Sequence, residues 1–425
     1  RPPYTPVPLG ALAGMRRSRL HSPLRRSPLH AEHLRMGARI DDYGGWLRPA
    51  CYPQGTESEA QTIAREVLAV RQRAGLFDGS TLGKIEVQGT DAARFLDLMY
   101  VNALGNLAPG RVRYCLLLNE HGKVFDDGVV ARLAPERYLL SPSSSHAVPV
   151  AALLEEWRQC EYPSLRVALT HATTAWATVS VTGPHARAIV TGLDTDVDLA
   201  AAALPHMAIA EGHVGGVPAR IMRVSFTGET GFEVSVPAGY GPALWRELER
   251  LGEAHGIVPF GLESLLVLRA EKGYILIGRD TEGETEADDL GMGAPARNKK
   301  VEFIGRRSLL RPDSQRADRR QLVGLLAIER GRVLANGAHV VERSSALAAA
   351  DAGEPAGSGW RSLGYVTSSY ASPTLGHGIA LALVERGRER AAARARVQVF
   401  HLGETVEAEV VSPTFYDAAG DRLHG

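Results

Sequence analysis

Two adjacent carboxylates, Asp126 and Asp127, stand in the stretch NEHGKVFDDGVV, residues 119–130. The turn-forming Asn-Glu-His-Gly leads into a run with strand character. Successive strand residues point to opposite faces, so at least one aspartate faces packed, apolar surroundings. An unpaired charge is costly there. A desolvated Asp has a raised pKa, which suits it to take up a proton or to stabilise developing positive charge. Alternation does not choose between the two: Asp127 shares a face with Phe125 and Val129, and Asp126 with Val124 and Gly128. The competing interpretation is a solvated pair at a turn or strand end. A third carboxylate, Glu233 in GETGFEVSV, alternates against Phe232, Val234 and Val236. Periodicity by itself puts Glu233 on the outer face of a hairpin strand.

The elements that must hold these groups read as a mixed α/β pattern from Tyr43 onward. ESEAQTIAREVLAVRQRA (57–74) is an amphipathic helix with Ile63, Val67, Leu68 and Val70 near one face. Strand KIEVQG, helix DAARFLDLMY, strands RYCLLLN, KVFDDGVVARL and ERYLLSPSS, and a helix after the proline of HAVPVAALLEEWRQC follow. That order suits an antiparallel sheet with helices on one face, an α+β arrangement. A second round repeats the theme: WATVSVTG, HARAIVTGL, ARIMRVSF, GFEVSVP and the helices ALWRELERLGEAHG and PFGLESLLVLRAEKGY. Residues 281–300 read as a polar loop. Beyond about residue 318 the texture turns to short strands, an all-β module and small barrel, interrupted by the low-complexity ALAAADAGEPAGSG, expected to be a mobile loop. The expected organisation is an extended basic arm at 1–37, an α+β region of two lobes at 38–317 and a C-terminal β-barrel at 318–425.

The 425 residues are 44% hydrophobic, enough for two or three domains. Basic and acidic residues balance at 48 each, so bulk charge points to neither nucleic acid nor a membrane. Cys51, Cys115 and Cys160 are scattered and form no CxxC pair, which argues against disulfides or a cysteine zinc site and fits a reducing, cytoplasmic setting. His30 and His33 in HAEH read as a solvated surface pair, so no metal site is expected. No GxGxxG fingerprint, P-loop, HExxH or GxSxG elbow is present. The chain opens RPPYTPV without methionine or an apolar signal core, as though cut from something longer.

Five stretches in one order carry further information: AGLFDGSTLGKIEVQG, RVRYCLLLNEHGKVFDDGVV, SFTGETGFEVSV, LRAEKGYILIGRD and SSYASPTLGHGIALALV. Together they resemble the folate-dependent aminomethyltransferase family, typified by the glycine-cleavage T-protein, from about Gly37 to the C-terminus. RPPYTPVPLGALAG, GGWLRPACYP, STLGKI and VSPTFYDAAGDR resemble one branch, the C-terminal half of the alpha subunit of heterotetrameric sarcosine oxidase. The resemblance implies a three-lobed, cloverleaf-like α+β fold with a C-terminal β-barrel and tetrahydrofolate in a central hole. It implies one-carbon transfer from an oxidised N-methylglycine to tetrahydrofolate, giving 5,10-methylenetetrahydrofolate. FMN or FAD and NAD are then expected only in partner subunits, notably a flavin-carrying beta subunit, or in an amino-terminal half before Arg1. A free-standing aminomethyltransferase working with a lipoyl carrier, or a folate-family scaffold without catalysis, are the alternatives.

The resemblance also implies roles. Asp127 lies at the catalytic position, thirteen residues after Tyr114, whose counterpart lines the folate site. Glu233 matches the glutamate that holds the pterin, where a carboxylate can accept two N–H donors side by side. Phe226 stands where relatives carry a ring-stacking tyrosine, and Tyr274 in AEKGY matches another pocket aromatic. Ser143 and its neighbours replace an asparagine of the glycine-cleavage branch. Neither Asp126 nor Lys84 is assigned a task.

Overall fold

The computed structural model describes residues 24–343 and 360–424. Its first sheet is five-stranded and antiparallel, ordered Val112–Leu118, Val124–Ala134, Arg137–Pro142, Ile85–Gln88 and Ala168–His171. Helices Ala92–Met99 and Ala147–Cys160 cover one face, packing Phe95, Leu96, Val150 and Leu154 against Ile85, Cys115, Leu117 and Leu140. The second of these helices begins two residues before Pro149 rather than after it. The proline falls in the first turn, where its missing N–H forfeits no helical bond.

The second sheet has six strands, ordered Ala208–Val214, Val217–Arg223, Gly231–Pro237, Trp176–Thr182, Ala74–Asp78 and Ile257–Pro259. Ala74–Asp78 belongs to the first round of the sequence yet pairs with Trp176–Thr182, so the two rounds interlock. Phe232, Val234 and Val236 point to one face and pack on Leu244, Trp245 and Leu248 of helix Gly241–Gly252. Apolar clusters cover the opposite face at its two ends. At one end, helices Glu59–Gln72 and Leu262–Glu271 bring Val67, Val70, Leu265 and Leu268 onto Phe77 and Phe260. At the other, Ile209, Met222 and Val224 meet Val112, Ala131 and Leu139 of the first sheet. Between them the cross-strand pairs Thr178–Ser235 and Ser180–Glu233 leave a polar strip. The helix read at 57–74 runs from Glu59 to Gln72, and Ser58 and Gln61 close its start as a reciprocal capping box.

The C-terminal module is a closed six-stranded barrel, ordered Arg320–Ala327, His377–Glu385, Trp360–Ser372, His339–Arg343, Arg396–His401 and Glu404–Val411. Closure removes exposed strand edges. Buried polar groups tie the barrel to the rest. Arg71 donates to Glu229 at 3.0 Å and to Glu271 at 2.7 Å, and Ser372 and Thr374 donate to Glu271 at 2.5 and 3.0 Å. Arg269 pairs with Asp280 and donates to Ser368 at 2.7 Å.

Residues 24–37 are packed rather than extended. Arg25–Arg26 pairs in parallel with Trp46–Leu47, and a helix follows at His30–Arg35. His33 is not a solvated histidine: it is wholly buried, 2.9 Å from Asp78 through Nε2 and 2.9 Å from the Tyr52 hydroxyl through Nδ1. Both ring nitrogens find partners, which makes its burial tolerable. The loop at 281–300 contains a short helix, Ala294–Asn298. Residues 1–23 of the basic arm and the low-complexity loop lie outside the described residues. Among the described residues no helix is long and apolar enough to cross a membrane.

Candidate active site between the two sheets

In the first sheet Tyr114 stands opposite Val129, and Leu116 opposite Asp127. Directly opposed side chains share a face, so Tyr114, Asp127 and Val129 turn away from the helices. Val129 packs into the contact with Ile209 and Met222 of the second sheet. Asp126 stands opposite Leu117 and points to the helix-covered side. The pairing slips between Leu117 and Leu118, leaving Phe125 without an opposite number. That bulge overturns simple alternation: Phe125 packs with the helix-side core rather than sharing a face with Asp127.

The Tyr114 hydroxyl donates to Asp127 Oδ2 at 2.7 Å, and Ser143 Oγ donates to Oδ1 at 3.3 Å. Asp127 is half-buried, and burial pushes its pKa up to about 7. The Tyr114 hydrogen bond pulls the other way, and the neighbouring charge of Asp126 adds to the rise. Asp126 is fully buried and accepts the Ser143 backbone N–H at 3.1 Å. His146 Nδ1 lies 3.5 Å from Asp126 Oδ1, close enough for ionic attraction but long for a hydrogen bond. Asp126 raises the pKa of His146. Gly128 makes this cluster possible: with φ at +157°, a Cβ there would sit 2.2 Å from the Ser141 carbonyl oxygen. The absent side chain lets the end of Arg137–Pro142 close on the aspartates and deliver Ser143 to both.

Glu233 does not face outward to solvent. It stands opposite both Ser180 and Met222, on the strip between the two packed ends of the second sheet. Among the described residues neither carboxylate oxygen accepts a hydrogen bond, and burial raises its pKa. Lys84 opposes that rise through its charge. Lys84, just before the first-sheet strand Ile85–Gln88, is buried and donates to the Ser80 and Leu82 carbonyls at 3.2 and 2.9 Å. Burial pushes its pKa down to about 8, against the attraction of Glu233 and Asp78. A cation from one sheet thus balances a carboxylate of the other. Phe226 and Tyr274 stack with ring centroids 6.0 Å apart and 22° between planes. Phe226 remains 37% exposed, an open aromatic ledge.

The structure therefore brings Tyr114, Asp127 and Ser143 into one hydrogen-bonded group and pairs Phe226 with Tyr274. It also sets Glu233 on the strip adjoining the inter-sheet contact. The set offers a free carboxylate for paired N–H donors, an aromatic surface, and an aspartate poised to titrate near neutral pH. Lys84 and His146 belong with this set and went unassigned from sequence. A lysine in a turn reads as solvated, and no spacing rule joins His146 to an aspartate twenty residues earlier.

Residues 29–300 match the GCVT N-terminal domain and residues 320–417 the glycine cleavage T-protein C-terminal barrel domain. The chain is 37% identical to an aminomethyltransferase of Streptomyces coelicolor over 85% of its length and 90% of that protein's. It is 40% identical to the sarcosine oxidase subunit alpha of Corynebacterium sp. strain U-96 and 38% to that of Rhizobium meliloti, in each case along its whole length. It spans less than half of those subunits, 43% and 42%. The crystal structure of the glycine cleavage system aminomethyltransferase T from Bartonella henselae superposes with a TM-score of 0.77 at 26% identity, covering 93% of this chain and 99% of that one. With two sheets, a closed six-stranded barrel and both family domains in sequence order, the chain belongs to the glycine cleavage T-protein family of aminomethyltransferases.

Proposed function

We propose that this chain binds tetrahydrofolate between its two sheets and transfers to it the one-carbon unit of an oxidised N-methylglycine, as the folate half of a sarcosine oxidase-like alpha subunit. The observation that carries the proposal is Glu233, a largely enclosed carboxylate whose two oxygens have no hydrogen-bond donor among the described residues. Adjacent N–H groups of a pterin ring are the complementary partner. Phe226 and Tyr274 supply a stacking surface. Tetrahydrofolate, when bound, supplies the nitrogen nucleophile that accepts the one-carbon unit. Asp127 in its ionised form accepts a hydrogen bond from an amine, stabilises nearby positive charge and takes up a proton. Tyr114 and Ser143 hold its two oxygens in place.

The likeness to sarcosine oxidase alpha subunits along the whole chain supports the oxidase context. In that context FMN or FAD and NAD reside in a flavin-carrying beta subunit or in an amino-terminal half, and the assembly works in the cytoplasm. The high coverage of the Streptomyces coelicolor aminomethyltransferase favours a second reading, a free-standing enzyme served by a lipoyl carrier. Calorimetry with tetrahydrofolate tests the common core. Glu233→Ala is expected to weaken binding about 10–100-fold, the loss of charge-assisted hydrogen bonds. Equal affinity in the variant removes Glu233 from the site. Formation of methylenetetrahydrofolate from N-methylglycine with a flavin-bearing partner, but not from an aminomethyl-lipoyl carrier, separates the first reading from the second.

A further inference from the structure

Arg48 lies on strand Trp46–Cys51 and is only 8% exposed. Its guanidinium carbon sits 5.6 Å from the centre of the Phe77 ring. Phe77 is opposite Ser180, and Ser180 is opposite Glu233, so Phe77 and Glu233 project from the same face of the second sheet. Two strand spacings separate them, about 9.6 Å. Arg48 therefore caps one end of the polar strip that carries Glu233.

Among the described residues the Arg48 guanidinium donates no hydrogen bond and forms no ion pair. The groups around it are engaged elsewhere. Asp41, directly across the strand pair, turns to Arg39 at 3.3 Å. Asp78, whose charge acts on Arg48, is taken by His33 at 2.9 Å and the Ser80 N–H at 2.9 Å. The Tyr43 hydroxyl donates to Glu263 at 2.5 Å. Other buried arginines contrast with this: Arg71 and Arg220 meet glutamates, Arg269 meets Asp280, and Arg223 reaches the Leu423 and Gly231 carbonyls. The Arg48 nitrogens are not sealed off from solvent, so an incoming acceptor can reach them.

We propose that Arg48 is a carboxylate-binding subsite at the end of the strip, receiving an acidic group of a substrate bound along it. The proposal rests on the folate-site reading above for its location. A single planar fork of donors matches one carboxylate bidentately. Two sources present such a group: the glutamyl tail of a folate, or the amino acid that donates the one-carbon unit.

The test is calorimetry on the 425-residue chain, native, Arg48→Met and Arg48→Lys, with tetrahydrofolate, with tetrahydropterin lacking the benzoylglutamate, and with N-methylglycine. A tenfold or greater loss for tetrahydrofolate in Arg48→Met, with tetrahydropterin unchanged, places the glutamyl carboxylate on Arg48. Loss confined to N-methylglycine places the amino-acid carboxylate there. Arg48→Lys should recover part of either loss. Unchanged affinity for all three probes overturns the proposal, as does a native chain that binds none of them. Glu233→Ala is measured alongside: it should weaken both pterin probes, and its failure to do so counts against the folate site and not against Arg48. A melting curve gives an independent arm. Arg48→Met should melt at or above the native temperature, whereas an arginine that holds the fold together would lower it.

Discussion

The Tyr114 hydroxyl and the Asp127 carboxylate meet at 2.7 Å, diagonally across two paired strands. This contact sits on the face turned toward the second sheet, and it opposes the rise that burial imposes on the Asp127 pKa. It therefore adjusts the pH at which Asp127 becomes a base.

Replacing Tyr114 by Phe removes that donor while keeping the ring. The Asp127 pKa should climb beyond about 7. With Asp127 in its proposed role as base, one-carbon transfer in the native protein is expected to rise with pH through about 7. In Tyr114→Phe the midpoint of this profile should move to higher pH, with the rate recovering on the alkaline side. A profile that drops at all pH values without moving would assign Tyr114 to substrate contact instead.

Asp127→Asn should retain tetrahydrofolate but yield far less methylenetetrahydrofolate. Its stability carries a second signature. The folded pKa of Asp127 stands above its ordinary value of 3.8, so below about pH 4 both states hold the proton and ionisation costs the fold nothing. From about pH 4 to 7 the unfolded chain ionises first, and the native protein loses stability as pH rises. The asparagine variant escapes that loss. Melting temperatures should show the variant gaining on the native protein between pH 4 and 7, with a constant difference above; a gap independent of pH contradicts the raised pKa.

Lys84→Met removes the positive charge that counters the rise in the Glu233 pKa. Glu233 should then ionise at higher pH, and tetrahydrofolate affinity should fall several-fold, with the loss shrinking as pH rises from neutral to alkaline. Calorimetry across that range checks it. An affinity unaltered at every pH would reduce Lys84 to a structural role through its bonds to Ser80 and Leu82.

Arg71→Met leaves Glu271 buried without its cation and Glu229 with only Arg422, 3.9 Å away. The expected cost is about 3–5 kcal/mol, the usual price of breaking a buried ion pair on one side. Because Glu271 also receives Ser372 and Thr374 of the barrel region, urea unfolding of the variant should show the barrel separating at lower urea than in the native protein. Barrel separation at an unchanged urea concentration would mean that the apolar contacts alone hold the barrel in place.

Much of this protein is determined by local sequence. Gly231–Pro237 falls where GFEVSVP alternates, the apolar stripe of 57–74 becomes the helix Glu59–Gln72, and the short C-terminal strands announce a β-module. Period is a property of neighbouring residues, so it can be read without a fold. The quoted stretches also carried the family. What the tertiary structure decided concerns residues far apart in the chain. Alternation left Asp126 and Asp127 equivalent; the cross-strand register and the Phe125 bulge sent one to the helices and the other to the inter-sheet face. Glu233 had the pattern of a solvated strand residue, and only the covering of both ends of its sheet enclosed it. Lys84, His33 and Arg48 carry no local sign of burial, because burial of a charge depends on what other segments bring to it. Sequence set which faces each element owns; the packing of one element on another chose which carboxylate is left to meet a ligand.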